Sequence, residues 1–310
     1  MLGVLTALLV LFYVASAFVL SAFRFRWGMR LFGLVPLLLI SSMAGLFFYA
    51  AYPALARYGV GLFFTAGWDP SNESYGLAPA LVGTLLTSAI ALGAATPMAV
   101  GLAVTINEIL PKRLAKFFAS IVDLSAALPT VLYGLWGLFV LGPFLSKALT
   151  LLANAVGFDV FVRPYNLLTA SLLLSIMITP YAAAIIREGY ALVPRVVEEA
   201  IYSLGATRFE AVLLKLRYAK NYVVGGLFLA LGRAMGETVA VSMVVGGNFV
   251  RLAAAPWDSG ITISSLIALQ FPNAQVYQYM TPVLYAAAFA LVVMGLVINA
   301  VGLYVLSRWT

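Results

Sequence analysis

The 310-residue chain is 64% hydrophobic and 9% charged, with a formal net charge of +7 and a mean hydropathy of +1.04, a balance that no ordinary soluble domain has. It contains no Cys and no His, which removes disulfides, thiolate nucleophiles, haem-attachment motifs, His-ligated zinc and imidazole bases, and leaves only carboxylates and hydroxyls for any catalysis. Lipid is the main solvent for such a chain, and its basic excess must be located before it is read as a sign of nucleic acid.

Apolar stretches of bilayer-spanning length lie near 1–23, 31–51, 79–105, 117–141, 166–187, 219–247 and 281–306, predicting seven helices. No charge precedes the first, and Arg24, Arg26 and Arg30 follow it, so it reads as a retained helix with an external N-terminus and not as a signal peptide. That orientation places the clusters at Arg24/Arg26/Arg30, Lys112/Arg113/Lys116, Arg187 to Lys220 and Arg308 on the cytoplasmic side. Arg57, Lys147, Arg163 and Arg251 fall outside, Arg233 falls within a span, and the other thirteen of the 18 basic residues are inside. One alternating topology thus satisfies the positive-inside rule and accounts for the net charge without nucleic acid. The external connections, at 67–76, 157–166 and 246–280, are polar and turn-rich.

Pro97, Pro129 and Pro180 each fall within a helical pattern, where a missing N–H and a ring clash bend the backbone. Gly134 and Gly137 in the fourth span, and Gly232 and Gly236 near the end of the sixth, form small-residue faces that allow close helix approach. Thr84, Thr87 and Thr130 are available as donors, although hydroxyls in membrane helices usually bond their own i−4 carbonyl. Tyr133, Trp136, Trp257 and Tyr279 read as aromatic anchors at the membrane interfaces.

Between the fifth and sixth spans, residues 187–220 are polar and helical in pattern. Glu198 and Glu199 follow Pro194 where a first turn accepts proline and favours carboxylates. Gly205 then interrupts the pattern, predicting two helices about a turn, a cytoplasmic knob presenting Arg208, Glu210 and Lys215. The sixth span carries GRAMGET, which places Arg233 and Glu237 four residues apart on one helical face. An ionisable side chain in hydrocarbon costs several kcal/mol, so such a pair is by default a pathway feature.

These residues resemble a known family. EEAIYSLGA, with Glu199 six positions before Gly205, looks like the EAA loop of ABC-importer permeases, and PTVLYGLWGLFVLGPF, ITPYAAAIIREGYALVPR, GATRFEAV, GRAMGETVAV and GITISSLIALQF are similar to segments of the PstC-type phosphate permeases. Two departures are visible: Arg217-Tyr218 stand where Leu-Pro usually closes the loop, and there is an additional N-terminal helix. The resemblance implies an all-α polytopic bundle of the type I ABC-importer permease kind, with about six core spans plus the extra helix. It divides the chain into flanking helices at 1–51 and a permease core at 79–306 that includes a coupling loop at 188–218. It implies a multi-pass protein of the cell membrane, importing phosphate from an extracytoplasmic binding protein together with a second, PstA-type permease chain and two PstB-type ATP-binding subunits. ATP and Mg would bind those subunits and no cofactor this chain; the absence here of any GxxxxGK[ST] loop agrees.

By that analogy Arg233, Glu237, Thr238, Thr130 and Asp123 line the translocation path, and Glu198, Glu199, Ala200, Gly205, Ala206 and Arg208 contact the ATPase. A guanidinium binds phosphate bidentately, and a carboxylate four residues away neutralises it when the path is empty. The competing reading of the pair is a structural clamp between subunits. A sulfate or molybdate permease, a proton-coupled secondary transporter using Glu237, and a phosphate-sensing scaffold are the alternative functions.

Overall fold

The computed structural model describes residues 10–11, 13–16, 25–157 and 161–309. The predicted first span, 1–23, lies largely outside them. Among the described residues, five helical segments are long and apolar enough to cross a bilayer: Phe32–Phe63, Ala78–Ile109, Thr130–Ala155, Leu167–Ala191 and Met280–Arg308. Helix α1 (Phe25–Tyr58) leads through a 3₁₀ turn into a two-stranded antiparallel hairpin, β1 (Trp68–Asp69) and β2 (Ser74–Tyr75). The external connection expected at 67–76 is therefore an ordered cap. The Asp69 carboxylate accepts the Ser71 and Asn72 backbone N–H groups and holds the turn. That of Glu73 accepts the N–H groups of Gln278 and Tyr279, just before the last helix.

Next come α2 (Ala78–Val104), α3 (Lys112–Ala126), α4 (Thr130–Trp136) and α5 (Gly142–Ala155), with π-helical turns at Thr105–Ile109 and Gly137–Leu141. The span expected at 117–141 is displaced. Residues 112–126 form a separate helix that is apolar on one side only, and the chain turns at Ala127–Pro129 before the spanning segment begins at Thr130. Pro129 is accordingly a helix boundary with an extended backbone, in contrast to Pro97 and Pro180, which lie inside α2 and α6. The residue before a proline avoids the helical region, so a helix cannot run through Leu128 cheaply.

Helix α6 (Leu167–Ala191) is the centre of the bundle, with 72% of its most apolar window buried against 6% for Phe32–Phe63. Its main partner is α2. There Ala91, Ala95, Ala99 and Ala103, four residues apart and fully buried, make a low ridge that lets the two helices pack closely. Helices α1 and α12 (Met280–Trp309) pair at the periphery through Phe48 and Phe289, whose ring centroids are 5.4 Å apart. Their remaining apolar faces are exposed, as suits lipid as the outer solvent.

After α6 the chain forms a short helical pair, α7 (Arg195–Ser203) and α8 (Arg208–Tyr218), then α9 (Lys220–Gly236) and α10 (Val239–Val244). The span expected at 219–247 is thus two helices and not one. A loop joined at Gly246 and Gly260 returns the chain to α11 (Ile263–Gln270) and α12. This loop seats on α2, where the Ile263 N–H donates to the Thr84 hydroxyl at 2.9 Å. Thr84 and Thr87 donate to the carbonyls of Ala80 and Gly83, the i−4 pattern expected of them. The α7–α8 pair and the loops around the hairpin lie at opposite ends of the bundle, called below the knob end and the hairpin end.

The two small-residue faces behave oppositely. A Cβ on Gly134 would lie 3.0 Å from the Ala240 Cα and 2.6 Å from the Met243 sulfur, and one on Gly137 would lie 2.8 Å from Leu173. The face of α4 is therefore a true close approach, to α10 and α6. Gly232 and Gly236 have nothing within 4 Å of such an atom, so the close contact expected there does not occur within this chain. Gly134→Val is expected to lower stability in detergent by about 1–3 kcal/mol through overpacking, while Gly232→Ala is near neutral. Thermal unfolding of the two variants checks this, and equal melts would dismiss the α4–α10 seam.

Candidate functional site

Two sets of functional side chains stand out, one at the break between α9 and α10 and one in the knob. At the first, the backbone leaves the helix at Glu237, whose φ of −69° and ψ of 126° are extended. Arg233 stays in the last turn of α9, so the pair does not share a helical face as the four-residue spacing suggested. An interrupted helix leaves carbonyls to satisfy in a setting poor in water. The Thr238 hydroxyl donates to the Gly236 carbonyl at 3.2 Å and the Ser264 hydroxyl of α11 to that of Met235 at 3.2 Å.

The two charges have separate environments. The Glu237 carboxylate accepts the Ala240 N–H at 3.4 Å and so lies at the positive end of α10. Arg233 is half-buried, its guanidinium carbon 5.7 Å from the ring centroid of Tyr181 on α6, and its buried Nε has no hydrogen-bond partner. Among the described residues no carboxylate lies within 4 Å of it. A planar donor fork with no carboxylate partner, set beside an aromatic face, has the geometry to bind a tetrahedral oxyanion bidentately. Tyr181 escaped notice in the sequence; its signal was a lone phenol following Pro180 in an otherwise apolar span.

Thr130 begins α4. Because Gly134 meets Ala240 and Gly137 meets Val244, α4 and α10 run parallel, and Thr130 falls one turn earlier, level with residues 236–238. Thr130 thus lies near the level of Glu237 and Thr238, and Arg233 lies in the turn of α9 just before them. Asp123 is not among them. It sits on α3 at the knob end, ion-paired at 3.0 Å with Arg187 of α6.

The knob has the expected plan of helix, glycine turn and helix. Gly205 has φ +80°, a left-handed conformation that other L-residues avoid. Thr207 and Glu210 form a reciprocal capping box at the start of α8, and hydrogen bonds from the Thr207 hydroxyl and N–H hold the Glu210 carboxyl below its ordinary pKa. Glu199, Ala200, Gly205 and Arg208 are exposed and Ala206 is half-buried. Around them Leu204 is 87% exposed, Phe209 76% and Val196 74%, an apolar tip unusual for a polar surface.

Lys215 corrects the expectation that it is displayed with Arg208 and Glu210. It is 3% exposed. Its ammonium bonds the carboxylates of Glu108, in the π-helical turn that ends the second span, and of Glu198 at 2.9 Å, and lies 5.4 Å from the Tyr190 ring centroid. Burial alone would lower its pKa, but the bonds to Glu108 and Glu198 carry it above the ordinary lysine value, so it stays charged. Glu198 is thereby turned inward to Lys215, and of the two adjacent glutamates Glu199 alone faces outward. Lys215 lies among Leu213, Leu214 and Leu216, and that apolar setting was its sequence signal.

A family model described as "Binding-protein-dependent transport system inner membrane component" matches residues 95–310. A "Probable phosphate transport system permease protein PstC" of Methanocaldococcus jannaschii is 45% identical over 285 residues, covering 89% of this chain and 90% of that protein. A "Phosphate transport system permease protein PstC" of Mesorhizobium japonicum is 33% identical, covering 94% and 91%. The fold is similar to that of a chain in an inward-facing structure of the MetNI methionine ABC transporter, with a TM-score of 0.53 at 18% identity over 76% of this chain and 94% of that one. The chain belongs to the binding-protein-dependent transport system inner membrane components, and is a multi-pass cell-membrane permease that works with partner subunits in an ABC transporter.

Proposed function

We propose that this permease carries inorganic phosphate inward from an extracytoplasmic binding protein, and that Arg233 is the group the anion meets at the narrowest part of the path. The observation that carries the reading is a half-buried guanidinium with an unpartnered Nε at an interrupted helix. The names of the two relatives support phosphate as the cargo. Glu237, Thr238 and Thr130 lie at the same level and complete the constriction. Asp123, engaged with Arg187, serves α3 and not the path in this reading. A second, homologous permease chain covers the open face of Gly232 and Gly236, where small residues let two helices approach closely. That places Arg233 at the seam between the chains.

The knob is the seat for the ATP-binding subunits, two per transporter, which hold the ATP and Mg. Glu199, Ala200, Gly205, Ala206 and Arg208 present the contact surface, and the exposed Val196, Leu204 and Phe209 supply apolar area for the partner to bury. Glu198 acts at one remove, through Lys215. The positive-inside distribution of Arg and Lys puts this end in the cytoplasm. The use of Glu237 at the start of α10 weighs against a proton-coupled carrier, and the choice between phosphate and another oxyanion rests with the binding protein.

Three measurements test these roles. Arg233→Gln is expected to reduce ATP-dependent phosphate uptake in reconstituted vesicles by about ten- to a hundredfold, the worth of a lost charge-assisted bond, and Arg233→Lys to retain part of it; undiminished uptake in Arg233→Gln removes the gate. Gly205→Val forces a β-branched residue into the left-handed region at about 1–2 kcal/mol, and is expected to lower both ATPase co-purification and phosphate-stimulated hydrolysis. Unchanged coupling refutes the docking assignment. Lys215→Met leaves Glu108 and Glu198 facing each other unneutralised and is expected to destabilise the knob by about 3–5 kcal/mol, read as faster proteolysis between residues 195 and 218. Adding Glu108→Gln should restore part of the protection, and a knob no more sensitive than wild type would show that the buried ammonium is dispensable.

A further inference from the structure

At the knob end a cleft of about 730 Å³ opens between three segments distant in sequence: the last part of α2, the junction of α8 with α9, and the end of α12. Its walls are apolar, formed by Val100, Leu213, Leu216 and Val223, and its cations are Arg217, Lys220 and Arg308. Among the described residues no carboxylate lines it. Leu213, Leu216, Arg217 and Lys220 recur at intervals of three, four and seven residues, so they share one side of α8 and its continuation, whereas Lys215 is turned to the interior. The cleft therefore has an apolar floor from the spans and a rim of positive charge where they leave the membrane. The end of α12 fixes that level: Arg308 closes an apolar segment of 29 residues, with its guanidinium 5.0 Å from the Tyr304 ring centroid. Basic side chains and aromatic rings at the end of a span belong at the headgroup layer.

We propose that this cleft binds the phosphate headgroup of an anionic phospholipid, with the acyl chains laid along Val100 and Val223. Charge complementarity selects the occupant: three cations converge on an apolar hollow at headgroup depth, which suits a ligand with an anionic head and a hydrocarbon body. A zwitterionic lipid brings a cation of its own to this rim, and a soluble anion has no use for the apolar wall. The bound lipid braces the outer side of α8, opposite the Lys215 hub, and so steadies the helix that joins the knob to α9. The site is independent of the transported substrate.

The test is native mass spectrometry of the full chain, extracted from nanodiscs of equal parts phosphatidylglycerol and phosphatidylcholine. The wild-type protein is expected to retain phosphatidylglycerol in preference, and the Arg217→Gln/Lys220→Gln/Arg308→Gln variant to lose that preference by at least about tenfold, in keeping with the electrostatic worth of basic residues at a lipid surface. The Arg217→Lys/Arg308→Lys variant keeps the charges and is expected to retain the lipid, which separates loss of charge from loss of fold. Equal retention of the two lipids by the wild type, or undiminished retention by the glutamine variant, overturns the proposal. Displacement of the lipid by millimolar inorganic phosphate would show that the cations serve a free anion, and would overturn it as well.

Discussion

The knob end of the molecule depends on one buried ammonium. Lys215 is among the most enclosed polar side chains of the described residues, and a lone charge at such a site costs more than any single helix contact returns. It is tolerated because two carboxylates from earlier and well-separated parts of the chain meet it: Glu108 at the end of the second span and Glu198 in the knob. Removing Lys215 would leave two facing carboxylates unneutralised, so the ammonium ties α7, α8 and the end of the second span together as a unit. A second pair performs a similar service nearby, Arg187 of α6 holding Asp123 of α3 at 3.0 Å. The Asn107 side chain also donates to the Arg187 carbonyl at 3.1 Å, tying the ends of the second span and α6 together.

The opposite strategy governs the break at residues 236–238. Here the chain gives up helical hydrogen bonds in a region poor in water and recovers part of them with hydroxyl bonds from Thr238 and Ser264. Gly236 favours the interruption because glycine gains least from continuing a helix. What the break gains is a short stretch of non-helical backbone beside the start of α4. An uninterrupted helix would have carried Arg233 and Glu237 on one side, free to neutralise each other; separated, the carboxylate serves the start of α10 and the guanidinium keeps an open donor.

The membrane character, the apolar segments and the knob were legible from periodicity, charge placement and Gly205, because each rests on local physics: hydropathy over a window, Arg and Lys at segment ends, a residue suited to positive φ. The displaced fourth span was less so. The apolar run from 117 to 141 is continuous in composition, and only Leu128-Pro129 separates a helix apolar on one side from the segment that spans. The burial of Lys215, the turning inward of Glu198 and the pairing of Asp123 with Arg187 depend on partners 17 to 107 residues away, which no local pattern encodes. The GRAMGET spacing misled for a related reason. A four-residue interval implies a shared face only if the helix continues, and the carbonyls freed where it stops are met in part by Ser264, on another element. The two glycine faces were alike in sequence and differ in structure, because a small-residue face permits close approach without saying what approaches.

The knob and the break are joined by a single rigid element. Helix α9 begins at Lys220, directly after α8 with only Ala219 between them, and ends at Gly236, about 25 Å away at 1.5 Å per residue. Arg233 therefore rides on the far end of a rod whose near end is fixed to the Lys215 hub through α8. Along its length α9 packs mainly on α6, where Gly226 lies close to Ile185 and the Tyr222 side chain fills the space over Gly189. The non-helical backbone of Glu237 and Thr238 separates this rod from α10, which is held against α4 at Gly134. A continuous helix from 219 to 247 would instead have joined the rod directly to the segment leading into the loop that seats on Thr84. The same break that parts Arg233 from Glu237 therefore also marks where the rod ends.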